Sequence, residues 1–316
     1  MKKLICASFF SGVGGIDLGF REFCSTMYAN EYNPKPAQTF EINFNLKVDV
    51  RDIRDISSDQ IPDFDILLAG FPCQAFSIAG YRQGFNDEKG RGNLFFEIEL
   101  IILDKKPSVV FLENVKNLVS HDKGNTFKVI LSKLEQAGYY VKYKVLNTME
   151  YGNTPQNRER IYIVGFKNQE HYNKFEFPSK IPLTTFIRDI VDFKNKLDSK
   201  YYYTKDNFKH FELLSQEVIS KKSIYQWRRK YVRENKSNVC TTLTASCGTG
   251  GHNVPIVYIK FGIRKLTSRE CFKFQGFGDV FKLPNQANSH LYKQAGNSVS
   301  VNVIKRIAKQ IYKVMS

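Results

Sequence analysis

Apolar residues in the first half of the chain gather into short runs separated by longer amphipathic stretches. Leu4 to Phe10 is one run, Asp65 to Gly70 a second, Val109 to Leu112 a third and Arg160 to Phe166 a fourth. Runs this short between helical segments predict strands of a parallel sheet, buried on both faces and so lacking the alternation of a half-exposed strand. Phe127, Ile130, Leu131 and Leu134 recur at helical spacing, with Thr126 placed to cap the helix and Gly138 to stop it. The alternation predicts a doubly wound α/β domain, in which ligands collect at the carboxyl ends of the strands.

Between about residues 182 and 268 the alternation fades. Tyr201, Tyr202, Tyr203, Tyr225, Trp227 and Tyr231 are spread among lysines, and a glycine-rich loop runs from Cys247 to His252. This segment reads as a separate, smaller, mostly irregular or β domain. The pattern then returns to helix: Val299, Val301, Val303, Ile304, Ile307, Ile311 and Val314 predict a C-terminal helix packed back on the first domain. No repeat or low-complexity tract interrupts the chain.

Charge narrows the partner. Lys and Arg number 47 against 31 Asp and Glu, a net charge of +16, which favours a polyanion through phosphate neutralisation, although general solubility would use the same excess. The excess is densest from Lys221 to Lys236, where seven basic residues face one acidic residue and Tyr225, Trp227 and Tyr231 are interleaved. Such a stretch fits phosphate and base contacts. It equally fits a solvated face over a Tyr/Trp core. No apolar run approaches the roughly 20 residues needed to span a bilayer. Met-Lys-Lys and the short apolar stretch after it mimic a signal peptide, but a glycine turn and the lack of a small-residue cleavage site favour a cytosolic location. The six cysteines (6, 24, 73, 240, 247 and 271) contain no Cys-x-x-Cys pair, so reduced thiols are expected. Cys240, Cys247 and His252 lack a fourth partner at finger-like spacing, and no metal is expected.

Candidate chemistry sits at the predicted strand ends. Gly12, Gly14 and Gly15 follow the first strand and would let the backbone approach a nucleoside, or serve only as a turn. The third glycine of a dinucleotide fingerprint is missing, so a cofactor without a pyrophosphate fits better. Glu31, at the end of a predicted second strand from Thr26 to Asn30, could accept both ribose hydroxyls. Gly70-Phe71-Pro72-Cys73-Gln74-Ala75-Phe76-Ser77 and Glu113-Asn114-Val115 pair a thiol with a carboxyl group, each expected just past a strand end. A thiolate nucleophile facing an acid suits addition to an electron-poor conjugated ring such as cytosine. Arg158 and Arg160, two apart at the start of a strand and so on one face, could hold a phosphate and a ring oxygen, or be exposed edge arginines. Gln74 to Asn93 is polar, punctuated by glycine and long enough for a mobile lid.

Further blocks occur in a fixed order: Phe9-Phe10-Ser11-Gly12-Val13-Gly14-Gly15, Asn30-Glu31-Tyr32, Asp52-Ile53, the Phe-Pro-Cys-Gln segment, Glu113-Asn114-Val115, Gln156-Asn157-Arg158-Glu159-Arg160, Arg264 to Cys271 and Gln294-Ala295-Gly296-Asn297-Ser298-Val299. With these blocks the chain resembles the DNA (cytosine-5) methyltransferases of the single-chain bacterial restriction–modification type over nearly its whole length. The resemblance implies a Rossmann-like S-adenosyl-L-methionine-dependent methyltransferase domain at residues 1–181, a target-recognition domain at 182–268, a hinge at 269–296 and a C-terminal helix at 297–316 completing the first domain. It implies that Cys73 adds to cytosine C6 while Glu113 protonates N3, with Arg158 and Arg160 assisting, on a base flipped out of duplex DNA.

The cofactor pocket implied comprises Gly12, Gly14 and Gly15, with Phe10 and Tyr32 near the adenine, Glu31 on the ribose and Asp52 with Ile53 at the adenine edge. Pro72, Leu94, Asn297 and Ser298 complete it. DNA contacts fall on Gln74, Ser77, Arg228, Arg229, Arg233, Thr242, Gly250 and Gly251. Residues 227–257 resemble the recognition segment of members acting on sites that begin with CC and end with GG. The expected setting is a cytoplasmic monomer of bacterial or phage origin, acting on duplex DNA beside a restriction endonuclease, without membrane or metal. Three rivals remain: a tRNA methyltransferase of the same fold, a nucleotide-dependent oxidoreductase, and a silent DNA-binding module. The basic segment disfavours the first, Cys73 with Glu113 the second, and the intact reactive set the third.

Overall fold

The computed structural model describes residues 4–72, 94–250 and 252–316. In chain order its main elements are β1 (Leu4–Phe9), α1 (Gly15–Phe20), β2 (Cys24–Asn30), α2 (Pro34–Phe44), β3 (Ile66–Ala69), α3 (Leu94–Lys105), β4 (Val109–Val115), α4 (Asn125–Gln136), β5 (Tyr140–Asn147) and β6 (Glu159–Phe166). There follow α5 (Phe211–Glu217), β7 (Ile224–Arg228), β8 (Val232–Asn235), β9 (His252–Ile259), β10 (Gly262–Lys265), α6 (Ser268–Phe274), α7 (Asn288–Asn297) and α8 (Val301–Met315). Two compact units result. Met1–Leu146, Glu159–Pro178 and Ile304–Ser316 make the first, and Asn147–Arg158 with Ser179–Val303 make the second.

The first unit is built on a six-stranded sheet in the order β2-β1-β3-β4-β6-β5. Its central strands are apolar because both faces are covered: all four residues of β3 are buried, as are the first six of β4. β1 is parallel to β2 and β3, and β3 to β4, whereas β6 runs antiparallel to β4. The fourth apolar run therefore departs from the all-parallel expectation, since an apolar run reads the same in either direction. The pairing of β4 with β6 continues to Val115, so Glu113 lies within a strand and not beyond its end. From Ile304 onward α8 belongs to this unit, with Ile304 so close to α1 that a Cβ on Gly19 would lie 2.5 Å from its Cγ2.

Helix α4 buries Phe127, Ile130 and Leu134 as its periodicity requires, but it starts earlier than expected. Gly124 is the cap, and Thr126 lies inside the first turn with its hydroxyl 2.7 Å from His121 Nδ1. The far end is a Schellman motif. Gly138 adopts φ 82° and donates to Glu135 O, while Tyr139 N donates to Leu134 O.

Two features beneath the sheet edge have no sequence signal. Cys6 of β1 and Cys24 of β2, with Cα atoms 6.3 Å apart, form a disulfide, against the expectation of reduced thiols. Their proximity is a product of strand pairing, which their 18-residue separation does not reveal. Asp17, on α1, is buried and accepts from Ser8 Oγ and Thr26 Oγ1, each at 2.9 Å. Burial outweighs those two bonds and pushes its carboxyl up from 3.8 to about 6.

The Asp17 shift has a defined sign. The native state holds a proton that the unfolded chain releases, so the associated stability is full below 3.8 and lost as pH rises through about 6. Such a shift corresponds to at most about 3 kcal/mol. D17N, neutral at every pH, is expected to melt above the parent at about pH 7.5 and to lose that advantage at about pH 4. A difference in melting temperature that stays constant across this range would remove titration from the account.

The second unit carries an antiparallel sheet in the order β10-β9-β7-β8. Tyr225, Trp227, Val254, Ile256 and Ile263 form its core with Leu214 and Val218. The segment expected as a hinge folds as α6 and α7. Arg264 and Glu270 explain part of the last sequence blocks: their fork-to-fork pair is buried, at 2.7 and 2.8 Å, and Glu270 also closes a capping box with Thr267 at the start of α6. Cys240, Cys247 and Cys271 are buried free thiols, and burial pushes Cys240 and Cys271 well up. Among the described residues no group of His, Cys, Asp or Glu could hold a metal ion, and no helix is long and apolar enough to cross a membrane.

Candidate active site

Phe10, Gly12, Gly14, Gly15, Glu31 and Tyr32, all expected to bind a cofactor, gather at the carboxyl ends of β1 and β2. The chain leaves β1 through Phe10 at φ 51°, Gly12 at φ 56° and Gly14 at φ 83°, and Gly15 begins α1. Gly14 is required twice over, by its φ and because a Cβ there would lie 2.3 Å from the Phe44 ring. A Cβ on Gly12 would meet nothing within 4 Å, so the space over the loop is open. Glu31 ties this loop to β2: Oε2 accepts from Gly12 N at 3.0 Å and Oε1 from Asn33 N at 2.8 Å. Burial pushes its carboxyl up against those two bonds.

Neighbouring residues fix the loop that carries Glu31. Asn30 is buried and its Nδ2 donates to the carbonyls of Asp49 and Arg51, both at 2.9 Å. Sequence reasoning gave Asn30 no role, because a positioning amide carries no signal without its partners. Tyr32 exposes 69% of its surface, leaving its ring accessible for stacking, and Phe10 packs at the margin of the core. Ile53 is buried. The Asp52 carboxylate is taken by Arg54, at 2.9 Å to Nε and 2.6 Å to Nη2, which holds its carboxyl low. Leu94 is the first residue of α3 and is half-buried.

The acid side lies at the ends of β3 and β4. Glu113 is 7% exposed, and Arg160 Nε stands 3.3 Å from its Oε1. The register explains the contact: Val115 faces Arg160 across the β4–β6 pair, which puts Glu113 and Arg160 on one face as diagonal neighbours. A Cβ on Gly70 would sit 3.7 Å from Glu113 Oε2, so the segment toward the thiol passes directly by the carboxyl group. Asn114, also buried, spans the two strands, donating from Nδ2 to Phe71 O at 2.9 Å while Oδ1 accepts from Val115 N. Pro72 is exposed. Cys73, Gln74, Ser77 and the expected lid from Gln74 to Asn93 lie outside the described residues.

Arg158 departs from its expected place. It precedes β6 and is 2% exposed, with Nη1 donating to Leu243 O at 3.0 Å and Nη2 donating to the carbonyls of Gly296, at 3.3 Å, and Ser298. Its guanidinium fastens two backbone segments of the second unit, at Leu243 and at 296–298. The pairing with Arg160 assumed a strand that already included residue 158. Ser298 is buried and follows α7, whose last residue, Asn297, is exposed.

The residues expected to contact DNA divide by depth. Tyr225 and Trp227 are core: Trp227 is 5.2 Å from the rings of both Phe208 and His210. The interleaved pattern thus combines a packed aromatic face with a basic surface, and Tyr231 is the exposed exception. Arg229 and Arg233 are exposed and Arg228 half-buried. Thr242 spends its hydroxyl hydrogen on Asn157 O at 2.7 Å. Gly250 adopts φ 106° in open space, and Gly251 lies outside the described residues.

Residues 4–313 match the family of C-5 cytosine-specific DNA methylases. The chain is 60% identical over 311 residues to the type II methyltransferase M.Bsp6I of Bacillus sp. (strain RFL6), covering 98% of each chain. It is 45% identical to the type II methyltransferase M.HaeII of Haemophilus aegyptius, over 98% of this chain and 92% of that one. The solved Entamoeba histolytica methyltransferase EhMeth shares the fold, with a TM-score of 0.73 at 20% identity over 100% of both chains. The chain therefore belongs to the C-5 cytosine-specific DNA methylases. It is a DNA (cytosine-5-)-methyltransferase with the α/β, Rossmann-like fold of that family, related to the enzymes of type II restriction–modification systems.

Proposed function

We propose that this enzyme methylates C5 of a flipped-out cytosine in a specific duplex site through a covalent bond between Cys73 and C6, with S-adenosyl-L-methionine as cofactor. The observation that carries the reading is Glu113, buried at the end of β4 beside Gly70, three residues before Cys73, and steadied by Arg160. The open space over Gly12 and the buried Glu31 carboxylate fit a nucleoside without a pyrophosphate. Glu31, Phe10, Tyr32, Ile53 and Leu94 would hold it, with Pro72, Asn297 and Ser298 as further contacts. When bound, S-adenosyl-L-methionine supplies the electrophilic methyl group taken by C5.

The chain's own groups do the rest. Flipping brings the base to Cys73 at a cost of a few kcal/mol. The thiolate adds at C6 while Glu113 gives a proton toward N3, so that negative charge does not build on the ring. Arg160 orients the Glu113 carboxyl group. Loss of the C5 proton to water expels the thiolate, and return of the N3 proton to the Glu113 carboxylate restores the neutral ring. Residues 182–268 serve as the target-recognition domain, with Arg228, Arg229, Arg233 and Gly250 on its DNA-facing surface, and a site beginning with CC and ending with GG is the proposed target class. The setting is a cytoplasmic monomer that shields host DNA from a partner endonuclease.

Incubating purified protein with plasmid and S-adenosyl-L-methionine, followed by bisulfite sequencing, should show one cytosine modified within one recurrent site. Methylation of tRNA and not duplex DNA, or scattered modification without a site, would overturn the reading.

A further inference from the structure

The turn between β7 and β8 puts an arginine where backbone geometry asks for glycine or asparagine. Arg229 stands at φ 67° at the tip of the hairpin, between Arg228 and Lys230. Arg228 N donates to Tyr231 O and Lys230 N to Arg228 O, both at 2.9 Å, so the tip is a hydrogen-bonded turn and its left-handed residue is fixed. A branched or long L side chain in that region costs stability that glycine avoids. Such residues cluster at functional sites, although Lys106 and Lys123 adopt the same region elsewhere in the chain, so the φ of Arg229 counts only together with its exposure and chemistry.

The surroundings show what the side chain is not doing. Arg229 is exposed, and among the described residues its guanidinium has no hydrogen-bond or ion-pair partner. Arg228 Nε is buried and without a hydrogen-bond partner. The base of the hairpin is packed by contrast, the rings of Trp227, Phe208 and His210 forming one cluster with centroids 5.2 to 5.8 Å apart. A hollow of about 580 Å³ lined by Asn207, Phe208, Lys209, His210, Trp227 and Arg229 lies beside the tip. The packed hairpin thus presents the Arg229 guanidinium with unspent donors, at an energetic cost, while the unpartnered Nε of Arg228 is buried.

We infer that Arg229 is a specificity-determining residue that reads a guanine of the target site through O6 and N7 in the major groove, the pairing its planar fork matches best. This deepens the proposed target-recognition role of the second unit and rests on it. Lysine at 229 keeps the charge but loses the fork. Glycine relieves the backbone and loses both.

The test uses the full-length enzyme on its cognate duplex, on duplexes with each guanine of the site replaced in turn by 7-deazaguanine, and on non-cognate DNA over a salt series. Wild type should lose efficiency at one 7-deazaguanine position, and R229K should be insensitive there. R229K and R229G should lower kcat/KM on the cognate duplex about 5- to 150-fold, the range of one bidentate base contact. R229K should leave non-cognate affinity and its salt slope unchanged. R229G should melt above wild type, which separates lost reading from misfolding. Equal loss on cognate and non-cognate DNA would make Arg229 a phosphate contact and overturn the inference, as would unchanged discrimination in R229K. If wild type itself shows no site preference, the target-recognition reading fails as well.

Discussion

Replacing Cys73 by serine is expected to reduce methyl transfer to background while leaving the fold and DNA binding in place. A serine hydroxyl is essentially un-ionised at neutral pH, and in the proposed mechanism Glu113 gives a proton and does not take one, so no alkoxide is expected. On duplex DNA carrying 5-fluorocytosine the wild-type enzyme should stop after methyl transfer, because fluorine cannot leave as a proton. The result is a complex that survives denaturation and requires S-adenosyl-L-methionine. C73S should form none of it. E113Q should form it slowly and turn over about 10²- to 10⁴-fold below wild type, the span of a lost general acid. Peptide mapping that places the adduct on any other cysteine would remove Cys73 from the mechanism. Cys240, Cys247 and Cys271 are poor alternatives, being buried.

Cys73 and Glu113 stand out as candidates in the sequence because each sits in a short contiguous motif. The central strands were legible because β1, β3 and β4 are covered on both faces and are built around largely apolar runs. β5 went unread because it lies at the end of the sheet, where Tyr140, Lys144 and their neighbours meet solvent. What the sequence withheld is what depends on pairing. The antiparallel course of β6, the place of Glu113 inside β4 and the juxtaposition of Cys6 with Cys24 all follow from which strands are neighbours. Asp17 carries no signal of its burial in the sequence. Its partners, Ser8 and Thr26, come from two different strands.

The same distinction separates the two arginines that the motif presents as a pair. Arg160 belongs to β6 and meets Glu113, so its substitution should act on turnover. Arg158 lies in the second unit, buried, its guanidinium donating to the carbonyls of Leu243, Gly296 and Ser298. R158M fills much of the volume but supplies no donor, leaving those acceptors out of contact with water at about 1–3 kcal/mol each. Partial relaxation brings the expected total to about 3–5 kcal/mol, comparable to breaking a buried charged contact. The melting temperature should accordingly fall on the order of 10 °C. R158K, which retains a charged donor without the planar fork, should fall between the two. Thermal denaturation beside kcat on the surviving folded fraction decides the matter: a variant that melts like wild type but turns over slowly would return Arg158 to the chemistry. Loss of stability with a near-normal kcat would fix it as the fastener of the 296–298 backbone.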